Sequence, residues 1–290
     1  MDRRTLLKTA VLGASALAFR AVPARAIGAE DAGTRLAALE RRYGGRLGVA
    51  ILDTGNGCRY GYRADERFLM CSTHKVLAVG AVLARVDRGV EQLDRRVVFG
   101  RDVVLSWAPV TSHHVGAPGM SVAELCEATI TVSDNTADNL LLKSLGGSAA
   151  VTAFARRLGD PLSRLDRTEP ELNVGSPGDL RDTTTPDAML GGLRTLLLGD
   201  ALSVASRDRL VAWMRACSTG VDKLRAGVPG NWQAGDKTGS GANGESNDVA
   251  IFWPPQRKPL LVTAYYVNPA VSGEERATVL AEVGRIAASV

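Results

Sequence analysis

The segment NWQAGDKTGSGANGESNDVAIFWPPQRKPLLVTAYYV, residues 231–267, decides the architecture. It holds three strand-like runs, Asn231 to Gly239, Asp248 to Trp253 and Leu260 to Val267, parted by glycine- and proline-rich turns. An amphipathic helix from Glu274 to Ala288 closes the chain. At the other end, Leu36, Leu39 and Tyr43 share one face of a helix over Glu30 to Tyr43, which Gly44-Gly45 stops. Arg46 to Leu52 and Tyr60 to Arg63 then read as strands around the turn Thr54-Gly55-Asn56-Gly57. Between these ends the punctuation is helical. Ser121-Val122-Ala123-Glu124 spells a capping box before Leu125 to Ile130. Leu140 to Leu145 stops at Gly146-Gly147, with Ser148 placed to cap the next helix, Thr185-Pro186 opens a helix to Gly199, and Asp208 to Ala216 makes another. The pattern predicts an α/β (α+β) fold: one antiparallel sheet built from both chain ends, flanked by helices, with an inserted all-helical lobe. The expected units are residues 27–65 with 216–290 as the α/β lobe, and residues 66–215 as the helical lobe, including a long irregular loop at 164–182.

With 290 residues, 45% hydrophobic and 23% charged, the chain is excluded from disordered, collagenous and multi-pass membrane classes. Residues 1–26 read as an export signal of twin-arginine type: Arg3-Arg4, an apolar stretch from Thr9 to Phe19, and Ala24-Arg25-Ala26 as a small-x-small cleavage pattern. The apolar run is too short to span a bilayer. Without that leader the basic and acidic residues balance, so the overall net charge of +4 gives no reason to expect a nucleic-acid partner. The expected location is periplasmic or secreted, with no stable membrane association after cleavage and a monomer as the default state. Four cysteines, Cys58, Cys71, Cys126 and Cys217, match no metal or redox spacing and are read as buried free thiols.

Chemistry is concentrated in a few short stretches. Ser72 and Lys75 stand three apart at the start of the apolar run Val76 to Leu83, so that an amine and a hydroxyl share a helix face, as nucleophile activation requires. Ser133-Asp134-Asn135 follows a helix, where short polar side chains can enter a cleft. Lys237-Thr238-Gly239 lies in a strand next to Ser240 and Gly241, where a ligand can approach the backbone closely. Each triplet alone is more often a cap, a turn or a solvated edge; the three in this order are not an accident.

Together they resemble the class A serine β-lactamases, whose Ser-x-x-Lys, Ser-Asp-Asn and Lys-Thr-Gly elements come in this order. A fourth element, Glu169-Pro170-Glu171-Leu172-Asn173, sits in the long loop. The resemblance spans about residues 30 to 288 and implies a serine β-lactamase/transpeptidase-like fold acting on small-molecule β-lactams without a cofactor. It implies Ser72 as nucleophile, backbone N–H groups of Ser72 and Ser240 as the oxyanion hole, Lys75 and Glu169 as alternative bases for acylation, and Ser133 as proton relay. It further implies Asn135, Lys237, Thr238 and Ser240 as substrate contacts, Asn173 beside the hydrolytic water, Trp107 at the cleft mouth, and an Arg167–Asp182 pair tying the loop. Glu169 is the residue that transpeptidases of the same superfamily lack, and with it an acyl-serine ester is open to hydrolysis. A penicillin-binding peptidase and a non-catalytic β-lactam receptor are the alternatives.

The chain also departs from its relatives. The disulfide partners that some relatives give Cys71 and Cys126 are replaced by Gly241 and Val79, and the usual positions of an added arginine hold Lys223, Ser246 and Ala277. Lys223 is read either as a substitute cation or as a plain surface lysine. His74, His113 and His114 match no zinc motif, so no metal is expected. The G-x-G-x-x-G run Gly239 to Gly244 precedes a strand, not the helix that dinucleotide binding requires.

Overall fold

The computed structural model describes residues 25–176 and 178–290. The export signal read at residues 1–26 lies outside them, apart from its last two positions. The helices are α1 (Arg25–Tyr43), α2 (Lys75–Asp87), α3 (Val122–Thr131), α4 (Asn135–Leu145), α5 (Ser148–Arg157), α6 (Pro186–Leu198), α7 (Val204–Arg215), α8 (Leu224–Gly227) and α9 (Gly273–Ala288). The strands are β1 (Arg46–Asp53), β2 (Arg59–Tyr62), β3 (Phe68–Leu69), β4 (Arg96–Val97), β5 (Met120–Ser121), β6 (Thr183–Thr184), β7 (Gln233–Ser240), β8 (Glu245–Trp253) and β9 (Leu260–Val267).

The main sheet runs β2-β1-β9-β8-β7, with every neighbouring pair antiparallel. Strands from both chain ends meet where β1 pairs with β9, Val49 opposite Ala264. Strands β1, β8 and β9 are buried on both faces, which is why their apolar stretches run continuously and do not alternate. Val49, Ile51, Ala250, Phe252 and Val262 face a core shared with Leu36 and Leu39 of α1 and Val279, Leu280 and Val283 of α9. Their neighbours Ala50, Leu52, Val249, Ile251 and Leu261 face the opposite core, with helices α2 to α7.

Helix α2 is the axis of that second core. Every residue from Lys75 to Ala84 is buried, as a helix apolar on all sides requires. Ahead of it, Cys71–His74 form one 3-10 turn, so Ser72 stands at the N-terminal end of a fully enclosed helix. Two expectations need correction. Ser148 does not cap α5; Gly147 holds the cap position, and the Ser148 hydroxyl donates to the Asp166 carbonyl, 2.9 Å away, tying α5 to the long loop. Helix α7 begins at Val204, four residues before Asp208, because Ser203 caps it and is itself held by Asp87. Among the described residues no helix is long and apolar enough to cross a membrane.

Candidate active site

Four segments meet around Ser72. The turn before α2 and the first residue of α2 supply Ser72 and Lys75, the link after α3 and the first residue of α4 supply Ser133 and Asn135, the long loop supplies Glu169 and Asn173, and β7 supplies Lys237, Thr238 and Ser240. They enclose a cleft of about 400 Å³ lined by Ser72, Ser133, Asn135, Asn173, Thr238 and Ser240, with Trp107, more than half exposed, at its rim. Larger hollows of about 630 and 700 Å³ lie elsewhere, and neither includes Ser72.

The positions are fixed locally. Asp134 caps α4 through the Ala137 N–H and also accepts from Val110 N, Thr111 N and the Thr111 hydroxyl, so the residue between Ser133 and Asn135 works as an anchor. Ser133 takes a left-handed backbone (φ 59°), unusual for a residue with a side chain and typical of sites where the surroundings over-determine the geometry. Trp107 is held from both sides: its indole N–H donates to Val132 O at 3.1 Å, and its carbonyl accepts from Asn135 N at 3.0 Å.

The polar contacts form one buried network. The Ser72 hydroxyl donates to Glu169 Oε1 at 3.2 Å. The same oxygen lies 3.0 Å from Lys75 Nζ, which also donates to Ser133 O, Ser133 Oγ and, at 2.6 Å, Asn135 Oδ1. The amine expected to take the Ser72 proton is thus engaged with carboxylate and amide oxygens, better acceptors for an ammonium than a neutral hydroxyl. Lys237 Nζ reaches Ser133 Oγ from the other side at 2.9 Å, leaving that hydroxyl between two cationic groups. Burial, and then the nearby charge of Lys75, pull the Lys237 ammonium down to about 8. Thr238 Oγ1 meets Thr219 Oγ1 at 2.6 Å. Gly239 passes so close to Ser72 that a Cβ there would stand 2.9 Å from Met70 O and 3.2 Å from Ser72 N, closer than a side chain tolerates. Ser72, in the first turn of its helix, has an N–H with no intrahelical acceptor.

Glu169 is buried at 2% exposure although it comes from a loop. Asn139 clamps its backbone at both ends, accepting from Glu169 N at 3.0 Å and donating to Glu169 O at 2.8 Å. Asn173 Nδ2 donates to Glu169 Oε2. The loop base is closed by Asp182, which accepts from Asp166 N, Arg167 N and, at 2.6 Å, Arg167 Nε, while its own carbonyl takes Met70 N. Truncating the buried Asp182 would leave the Asp166 and Arg167 N–H groups without their acceptor while the partly exposed Arg167 guanidinium keeps Val174 O, a cost of about 1–3 kcal/mol, read as a loss of unfolding free energy in a denaturant titration. The loop's far end joins the β7–β8 turn through Ala242 N to Asn173 O and Asn243 Nδ2 to Gly175 O.

The structure therefore brings together Ser72, Lys75, Ser133, Asn135, Glu169, Asn173, Lys237, Thr238 and Ser240. Arg167 and Asp182 meet at the loop base, and Lys223 lines the same cleft. Sequence reasoning missed Asn139, Thr219 and Asp134 in these roles; only the last, an Asp just ahead of a helix, carried a signal, that of a cap. All four cysteines are free and buried.

A sequence profile described as the Beta-lactamase enzyme family matches residues 31–290. The chain is 47% identical over 252 residues to the β-lactamase OXY-2 of Klebsiella oxytoca, covering 87% of each. It is 50% identical over 257 residues to the β-lactamase L2 of Stenotrophomonas maltophilia, covering 88% of this chain and 84% of that one. Among solved structures, an ancestral (GNCA) class A β-lactamase superposes with a TM-score of 0.86 at 59% identity, covering 88% of this chain and 98% of the other. A buried serine and lysine from one segment meeting a buried glutamate from another agree with these likenesses, and the chain belongs to the class A β-lactamase family.

Proposed function

We propose that this protein hydrolyses β-lactam antibiotics through an acyl-enzyme on Ser72, with Glu169 activating the water that releases it. The observation that carries the reading is the buried carboxylate of Glu169, 3.2 Å from the nucleophile and 3.0 Å from Lys75. In acylation, Ser72 Oγ attacks the lactam carbonyl as its proton passes to Glu169, directly or through a bridging water, or to Lys75 in its neutral form. Charge developing on the carbonyl oxygen is met by the N–H groups of Ser72 and Ser240. Ser133, held between Lys75 and Lys237, delivers its proton to the departing lactam nitrogen and is resupplied by Lys75, which takes the Ser72 proton directly or receives it from Glu169. In deacylation the Glu169 carboxylate takes a proton from water attacking the ester and returns it to Ser72 Oγ as the ester bond breaks. Asn173 Oδ1, buried and without a hydrogen-bond partner among the described residues, is a spare acceptor beside that carboxylate.

The substrate carboxylate docks on Lys237, Thr238 and Ser240, its amide side chain on Asn135, and its bulk against Trp107, with Lys223 as an added cation in the cleft. The enzyme acts as an exported monomer without a cofactor, reaching the periplasm or medium by the twin-arginine route.

Rapid, repeated turnover of a chromogenic cephalosporin by the mature chain tests the proposal. Stoichiometric labelling without turnover would transfer the assignment to a receptor or peptidase. The charge on Lys237 adds a pH signature. Its protonated form binds the anion, and with its ionisation at about 8 the kcat/KM for carboxylate-bearing substrates falls about tenfold per pH unit above that point. A profile flat to about pH 10 means that the cation binding the substrate carboxylate does not ionise near 8.

A further inference from the structure

Directly behind the nucleophile lies a buried pair that the reaction scheme above does not use. His74 and Asp138 are both fully buried, with His74 Nε2 2.9 Å from Asp138 Oδ2. The other ring nitrogen, Nδ1, lies 2.8 Å from Cys71 O. A carbonyl oxygen only accepts, so Nδ1 carries a proton, and the nitrogen facing the carboxylate forms the second half of an imidazolium–aspartate pair. The ionisation tendencies agree. Burial alone would discharge the imidazole, but the Asp138 carboxylate outweighs it and raises His74; burial would raise Asp138, but the charge and hydrogen bond of His74 hold it low.

The acceptor of that bond is what gives the pair a use. The Cys71 carbonyl and the Ser72 N–H are the two ends of one peptide group. Cys71 takes a left-handed backbone (φ 46°), an unfavourable state for a residue with a side chain, and this sets the direction in which the peptide faces. A cationic donor on the carbonyl end holds that orientation and polarises the group, which makes its N–H a stronger donor at the other end.

We propose that His74, charged and held by Asp138, is a positioning residue that orients and strengthens the Ser72 N–H as an oxyanion donor. The inference rests on the reading of Ser72 as the acylated nucleophile. Asp138 also ties the oxyanion side to the substrate side, since it lies one turn along α4 from Asn135.

The test uses the acyl-enzyme trapped in a Glu169→Gln background, where the infrared stretch of the ester carbonyl reports the strength of the donors around it. The double variant His74→Leu/Asp138→Leu removes the pair without leaving an unpaired buried charge. The expected result is a carbonyl band shifted to higher frequency. In the wild-type Glu169 background, acylation slows about tenfold with little change in substrate affinity, a fraction of the roughly 100- to 1,000-fold cost of deleting a donor outright. Asp138→Asn keeps a neutral imidazole donating to Cys71 and gives a smaller shift in the same direction; it carries the test if the double variant does not fold. A carbonyl band unmoved in either folded variant overturns the proposal, even if activity falls, because a purely structural pair would lower activity without touching that frequency. Failure of both the parent and the wild-type chain to form any covalent adduct would instead defeat the acyl-enzyme reading.

Discussion

Glu169→Ala is expected to convert a turnover enzyme into one that acylates and stops. The variant keeps Ser72, the backbone donors and Lys75, which in its neutral form is the alternative base for acylation and still lies against Ser133 and Asn135. Among the described residues Glu169 is the carboxylate that the Ser72 hydroxyl meets, and the proposed scheme gives no other group the activation of water. Loss of one general base costs between about 100- and 10,000-fold, and here that loss falls mainly on the second step. Mass spectrometry after mixing with a penicillin then shows the full acyl adduct persisting for many wild-type turnover times. A variant that turns over at the wild-type rate with no adduct would mean that water is activated by some other group.

Ser72→Ala has the larger effect, because it removes the hydroxyl that lies against Glu169 and is proposed to carry the acyl group. Turnover drops by at least about 10,000-fold, in line with the removal of other activated serines, and no adduct of any lifetime forms. Binding survives, since Lys237, Thr238, Ser240 and Asn135 do not depend on the hydroxyl, so a β-lactam still quenches or shifts the Trp107 fluorescence. Residual hydrolysis through a covalent species, detected by labelling, would place the nucleophile elsewhere. The two variants also separate the steps: one abolishes the ester, the other preserves it.

The sheet is readable because its strands are short apolar runs bounded by Gly, Pro and Asn, and because the antiparallel order follows from strands at both ends of the chain. The start of α7 is not. Its first turns carry Arg207, Asp208 and Arg209 with little apolar periodicity, and the helix is fixed by the contact of Ser203 with Asp87, remote in sequence. In the site, the nucleophile, lysines and loop glutamate show themselves through spacing. Their supports do not. Asn139 grips Glu169 across 30 positions, and Asp138 meets His74 across 64. A histidine that matches no metal motif looks inert until the chain folds and an aspartate arrives beside it. The contact of Lys75 with Glu169 is likewise invisible in the sequence, because a helix-face argument pairs the lysine only with Ser72.

The four unlinked thiols bear on the life of the molecule before it reaches its workplace. None of the packing around Cys58, Cys71, Cys126 or Cys217 waits for oxidation. The fold is complete with its thiols reduced and needs no oxidising compartment to form. A scaffold that asks nothing of the oxidising machinery is compatible with the export route proposed above, which carries folded chains.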